Sequence, residues 1–150
     1  MNIVQQIKKG NQNEKSLEYS LTYLAAALAG GVFYREFSKF NNFTGVTALG
    51  KLHTHLFLLG TGIFLFAALF SLHLHLEDEK TFRSFMIIYN VGLPLTAFMM
   101  FIRGVFQVLG TNLTKGLDAS ISGVAGIGHI LLGAGLILFL VSLKKAKNRK

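Results

Sequence analysis

The sequence predicts an all-α, integral membrane four-helix bundle with both termini cytoplasmic, and three observations carry that prediction. Hydrophobic residues make up 51% of the 150 positions and charged residues only 15%, with a positive mean hydropathy, which lies outside the range of soluble domains. The charges are gathered between long uncharged runs. Basic residues are dense in every second cluster and sparse in the others.

The runs are long enough to span. Leu56 to Leu72 has no charge over 17 residues, Ser84 to Ile102 none over 19, and Ala119 to Leu143 none over 25 except for His129. At 1.5 Å per residue, about 20 residues cross the roughly 30 Å hydrocarbon layer of a bilayer. A weaker run, Tyr19 to Tyr34, crosses only with neighbours such as Leu17 and Phe37. One membrane domain over residues 1–150 is therefore expected, with helices at about 16–37, 52–75, 83–107 and 119–143. Membrane strands would alternate polar and apolar residues, which these runs do not.

The first run also has features of a signal peptide, with Lys8, Lys9 and Lys15 ahead of it and a small-residue stretch at Ala25–Ala29. Its long polar lead and its unbroken continuation through Val32 and Phe33 favour a retained helix. Ten of the fifteen basic residues lie in the amino-terminal segment, the 73–83 loop and the tail, against Arg35, Lys39, Lys51, Arg103 and Lys115 on the other side. Basic loops stay in the cytoplasm, which places both termini there and the protein in a bacterial cytoplasmic membrane as a multi-pass protein. The basic tail fits a lipid-headgroup anchor better than a nucleic-acid site, so no nucleic acid is expected as a partner. With no cysteine, disulfides, thiolate ligands and covalent c-type haem attachment are excluded.

Polar residues sorted by depth concentrate in the outer half: Arg35 and Glu36, His53 and His55, Arg103 and Gln107, Asp118 and His129. An ionisable residue inside a bilayer is expensive unless bound or paired, so this half is the candidate site. His53 and His55 lie about 200° apart on a helix and look towards different partners. The bland reading makes His53 an interfacial histidine wetted by headgroups and Arg103 a snorkelling helix end. His73, His75, Glu77 and Asp78 at the inner rim could hold a cation, but a solvated helix end suits them better. Gly126 and Gly133 flank His129 on its own face, and Gly60 and Gly62 follow His53 and His55 by seven residues. Such grooves admit a close helix or a flat macrocycle.

A b-type haem is the sharpest expectation: His55 and His129 as iron ligands, with His53, Arg103 and Arg35 also in the cofactor site and the arginines neutralising propionates. Phe57, Phe64 and Phe66 are candidates to pack against the ring. His55 is about 6 Å past Lys51 and His129 about 16 Å past Asp118, so a shared haem calls for tilt or a later start of the fourth helix. Met99 or Met100 is an alternative ligand. The function expected is electron transfer or redox and gas sensing, with a redox partner left open. The alternatives are a small-solute or metal-ion transporter and a structural subunit.

Phe33-Tyr-Arg-Glu-Phe37, Leu52-His-Thr-His-Leu56, Ile88-Tyr-Asn-Val-Gly92, Gly116-Leu-Asp-Ala-Ser120 and Gly128-His-Ile130 together resemble an uncharacterised family of small four-span membrane proteins of Gram-positive bacteria, over roughly residues 20–145. The resemblance implies a topology and no activity. More loosely, His-x-His on a membrane helix is similar to haem–copper oxidase catalytic subunits, where the two histidines face two haems. Those subunits have three four-helix arcs, which a homo-oligomer of this chain, a trimer, would imitate.

Overall fold

The computed structural model describes residues 3–148, without the side chains of residues 3–9, 11 and 12. Four helices follow one another: α1, Ile3–Phe40; α2, Leu49–His73; α3, Lys80–Val108; and α4, Lys115–Asn148. No strand occurs among the described residues. α1, α3 and α4 extend beyond the expected bounds at both ends, because hydropathy marks the apolar segment and not the end of the helix, while α2 starts three residues early and stops two short of the expected 75. Residues 3–15 and the lysine-rich stretch after Leu143 continue their helices, being rich in helix-forming Gln, Glu, Lys and Ala.

The turns after α1 and α3 are closed by local hydrogen bonding. After α1, Asn42 takes a left-handed backbone (φ 51°), and the N–H groups of Asn42 and Phe43 donate to the carbonyls of Lys39 and Ser38. After α3, Gly110 (φ 64°) and Thr111 repeat this pattern on Gln107 and Phe106. Both are Schellman ends, which satisfy the last helical carbonyls. Thr114 caps α4, its Oγ1 accepting from the N–H of Leu117. At the opposite end of the bundle α2 stops where Leu74 turns extended, and a short 3-10 turn, Leu76–Asp78, leads into α3.

Three of the helices, α2, α3 and α4, are long and apolar enough to cross a membrane. In α1, Glu18, Tyr19, Ser20, Thr22 and Tyr23 dilute the apolar run. Large apolar side chains point outward from all four helices, among them Leu21, Val32, Leu58, Ile87, Phe98, Ile130 and Ile137, while Ser16, Ser20, Ser71, Thr96 and Ser142 are buried. Exposure of apolar surface on this scale suits lipid and not water.

α1 lies along α2, α4 lies along α3, and α2 and α3 join the two pairs. The α3/α4 contact is close. A Cβ at Gly92 would stand 2.8 Å from Leu131 Cβ and 2.9 Å from the Leu132 nitrogen; one at Gly128 would collide with Thr96 Oγ1 and lie 3.0 Å from the Thr96 nitrogen. Small residues let two backbones meet in this way. α2 is docked on the same helix: a Cβ at Gly104 would lie 2.5 Å from the Leu49 nitrogen, Thr47 Oγ1 donates to Gly104 O (3.0 Å), and the Ala48 N–H donates to Gln107 Oε1 (2.7 Å). Gly30 and Gly31 on α1 have their nearest neighbours at 3.8 Å, so the α1/α2 contact does not require them.

Within α2, residues Leu56–Gly62 form a π-helical segment. Leu52, Leu56, Gly60 and Phe64 are all buried at successive spacings of four. In a regular α-helix that stripe would drift by about 40° per step; the wider π turn drifts the opposite way, which offsets it and keeps the stripe facing the bundle. The segment is held from both sides, with Tyr89 Oη donating to Leu59 O (2.8 Å) and Ser20 Oγ donating to Thr61 O (3.0 Å). The core beneath it is aromatic. Phe64 lies against Tyr23, Tyr89 and Phe85 at 5.5, 5.7 and 5.9 Å between ring centroids.

Gly128→Ala is expected to lower the melting temperature of the detergent-solubilised protein by an amount corresponding to about 1–3 kcal/mol, the usual range for overpacking. Gly30→Ala, with ordinary contact distances, is expected to be nearly silent. Equal melting of the two variants would show that the α3/α4 approach is not tight.

Candidate functional site

Between α2 and α4 the helices do not pack broadly, and α3, which touches both, forms the floor of the groove they leave. His55 and His129 meet across this groove. Their ring centroids are 6.3 Å apart and their planes stand at 84°. His55 is half-buried and His129 exposed. Each ring is fixed by its own helix: His55 Nδ1 lies 3.0 Å from Lys51 O, and His129 Nδ1 lies 2.8 Å from Ala125 O. A carbonyl only accepts, so each Nδ1 carries the proton. In the neutral imidazole the lone pair is then on Nε2, the arrangement in which histidine ligates metals.

The depth count from Lys51 and Asp118 does not keep the rings apart, because those residues do not mark one level. Leu49 packs on Gly104 while the adjacent Arg103 holds Asp118, so the shared level falls at Leu49. Counted from there, His55 is six residues deep and His129 eleven. The remaining offset of about 7 Å is within reach of the two side chains. α4 starts earlier than expected, at Lys115, and not later.

His53 faces the other side of α2. Its ring stacks against Tyr34 at 6.5 Å and 14°, beside Gly31 of α1. Its Nδ1 is buried and has no hydrogen-bond partner among the described residues, while the residue as a whole is half-buried. Gly126 and Gly133 have open space where a Cβ would stand, leaving a smooth surface on either side of His129. Gly60 faces α1 as His53 does, and packs against Tyr23, whose Cβ would lie 2.5 Å from an added methyl group. Phe64 belongs to the aromatic core and Phe66 is exposed, so these two do not line the histidine groove.

Arg103 is engaged by α4. Its Nη2 donates to Asp118 Oδ1 (2.8 Å), Asp118 O (3.2 Å) and Ser122 Oγ (2.7 Å). Asp118 and Ser122 lie eleven and seven residues before His129, so this cluster stands two to three turns towards the N-terminal end of α4, on the same face. Arg35 is exposed and only 3.7 Å from Glu36 Oε1.

The inner rim is not a solvated helix end. Residues 74–79 leave the helix and dip into the bundle, burying Leu76, Glu77 and Glu79. His75 Nδ1 lies 3.2 Å from Glu77 Oε1, and Arg83 donates from Nε and Nη2 to Glu77 O. His73 stays exposed. Among the described residues no group of three or more His, Cys, Asp or Glu side chains is placed to hold a metal ion.

The fold and site define a helical protein with three membrane-length helices and a two-histidine groove between its second and last helices. The model of the family described as protein of unknown function (DUF2871) matches residues 13–146, and the chain belongs to that family. No curated protein and no solved structure matches the chain.

The Arg103–Asp118 pair is half-exposed, and pairs of that kind contribute about 0–1 kcal/mol. Arg103→Gln and Asp118→Asn are each expected to shift melting only within that range, and the double variant by no more than either alone. Additive losses in the double variant would show that the two side chains act separately.

Proposed function

We propose that this protein is a four-span membrane protein that binds a b-type haem between His55 and His129, for electron transfer or for redox and gas sensing. The observation that carries the reading is the pair of imidazoles 6.3 Å apart, each with Nδ1 bonded to a backbone carbonyl and Nε2 left for a ligand bond. Two metal–nitrogen bonds of about 2.0–2.1 Å, with the ring radii added, span about 6 Å between centroids.

The number of ligands favours haem over a bare ion. A protein-bound zinc or copper ion takes three or four protein ligands, and no third candidate joins the two histidines among the described residues. A porphyrin brings four nitrogens of its own and needs only axial partners. The open surface at Gly126 and Gly133 suits a flat macrocycle, and Arg103, towards the outer end of the same face, would offset its carboxylates. Arg35 would add only an exposed charge. When bound, the haem would supply one-electron chemistry, and gas binding where one imidazole gives way; the chain's own groups would hold the ring and fix both imidazole tautomers. A transport path through His53, His55, His129 and Arg103 has less support, since α2 separates His53 from the others.

The topology belongs to the same proposal. α1 runs beside the spanning part of α2, from Ser20 at Thr61 to Gly31 at His53, so it lies at the depth of a span although it is less apolar. Four spans with both ends of the chain on the cytoplasmic side follow from the distribution of lysine and arginine. Assembly into a homo-oligomer, a trimer in the oxidase-like layout, would use the surface of α4 that no other helix of the chain covers.

The purified protein is expected to show a Soret band that His55→Ala and His129→Ala each abolish and that His73→Ala and His75→Ala leave intact. With imidazole planes at 84°, the ferric state is expected to give a strongly anisotropic low-spin EPR signal. A colourless wild type from haem-replete cells, or equal haem content in all four variants, would overturn the reading. Reporter fusions at Lys150 and within residues 35–51 are expected to score inside and outside respectively; the opposite result would reverse the orientation.

A further inference from the structure

Tyr89 is fully buried, and it touches both helices that carry the paired histidines. Its hydroxyl donates to Leu59 O at 2.8 Å, inside the π segment that begins directly after His55. Its ring lies against Gly135, where an added Cβ would be 2.8 Å from Tyr89 Cδ2 and 3.0 Å from Tyr89 Cβ. Gly135 is six residues beyond His129 on α4. One rigid side chain of α3 thus meets α2 four residues after His55 and α4 six residues after His129.

Its chemistry suits that place. A carbonyl in a π turn is not held by regular α-helical bonding, and in lipid no water replaces a lost bond, so a fixed phenol is an effective latch. Ser20 bonds the same segment through Thr61 O, but from α1, on the side away from α4. Ser20 therefore holds the π turn without spanning the gap between the histidines.

We propose that Tyr89 is a positioning residue that sets the separation of His55 and His129. The proposal rests on the two-histidine reading of the site, and it concerns the spacing of those residues whether or not haem is the group they hold. Loss of the hydroxyl frees Leu59 O and lets the His55 end of the π segment move relative to α4. Removing the Ser20 hydroxyl loosens the segment on the α1 side and leaves the separation unchanged.

The test compares Tyr89→Phe with Ser20→Ala in the full-length protein. Nitroxides are attached to cysteines replacing His55 and His129, and their dipolar broadening is read in detergent without haem. Tyr89→Phe is expected to lower and spread the broadening while Ser20→Ala preserves it. Gly135→Ala, which presses a methyl group on the same ring, is expected to change the broadening as well and serves if Tyr89→Phe is too unstable to purify. Unchanged broadening in Tyr89→Phe and Gly135→Ala, or an equal change in Ser20→Ala, would overturn the proposal. In the histidine-containing protein, Tyr89→Phe is further expected to convert part of the low-spin ferric signal to high-spin. A wild type that takes up no haem would refute the haem reading alone, because the nitroxide comparison still decides the role of Tyr89.

Discussion

The close approach of α3 and α4 at Gly92 and Gly128 is the contact on which the site depends. Between lipid-exposed helices, burial of apolar surface supplies little drive for association, and close packing together with interhelical hydrogen bonds carries more of it. Glycine at both contact points lets the backbones meet and fixes how α4 lies on α3. His129 is the residue after Gly128, so that contact sets its height and direction. α2 is docked on the same helix at Gly104, twelve residues from Gly92 and about 18 Å along the axis. α3 thus acts as a ruler on which both histidine-bearing helices are placed.

Between those two dockings the π segment of α2 keeps Leu56, Gly60 and Phe64 on the inner face, and polar side chains of α1 and α3 bond carbonyls within it. Hydroxyls are used in the same way elsewhere in the bundle: Ser71 donates to Ala67 O and Ser142 to Phe139 O, while Tyr23 donates to Asn90 Oδ1. In a medium without water these bonds are the means by which polar groups are accommodated. His55 and His129 follow the same rule at Nδ1, and their Nε2 atoms are the groups through which the groove can act.

Much of this was legible in the sequence. The uncharged runs gave the helices, and the 200° separation of His53 and His55 gave two directions, which here lead to Tyr34 and to His129. Arg103, which the sequence offers as a snorkelling helix end or a propionate partner, reaches Asp118 through one nitrogen. Other features were hidden for physical reasons. Helix ends were misplaced because charged helix formers extend a helix beyond the apolar layer. The π segment left a trace, the three successive spacings of four from Leu52 to Phe64, but a regular helix was assumed there. Glu77 read as solvated because acidic residues at a helix end usually are; the 3-10 turn that carries it and Glu79 inward depends on tertiary packing. Tyr89 gave no local sign that it bridges two neighbours, since Gly135 and the π turn meet it only in the folded bundle.

The pairing of His55 with His129, and of no other histidine, can be measured without any cofactor. The chain has no cysteine, so pairs of cysteines can be introduced one at a time. A short bifunctional thiol reagent, applied to His55→Cys/His129→Cys and to His53→Cys/His129→Cys in membranes, reports which pair shares a surface through the intramolecular peptide link found by mass spectrometry. The 55–129 link is expected to form readily and the 53–129 link not to form. Equal yields, or a link only from position 53, would contradict the groove between α2 and α4 and with it the site.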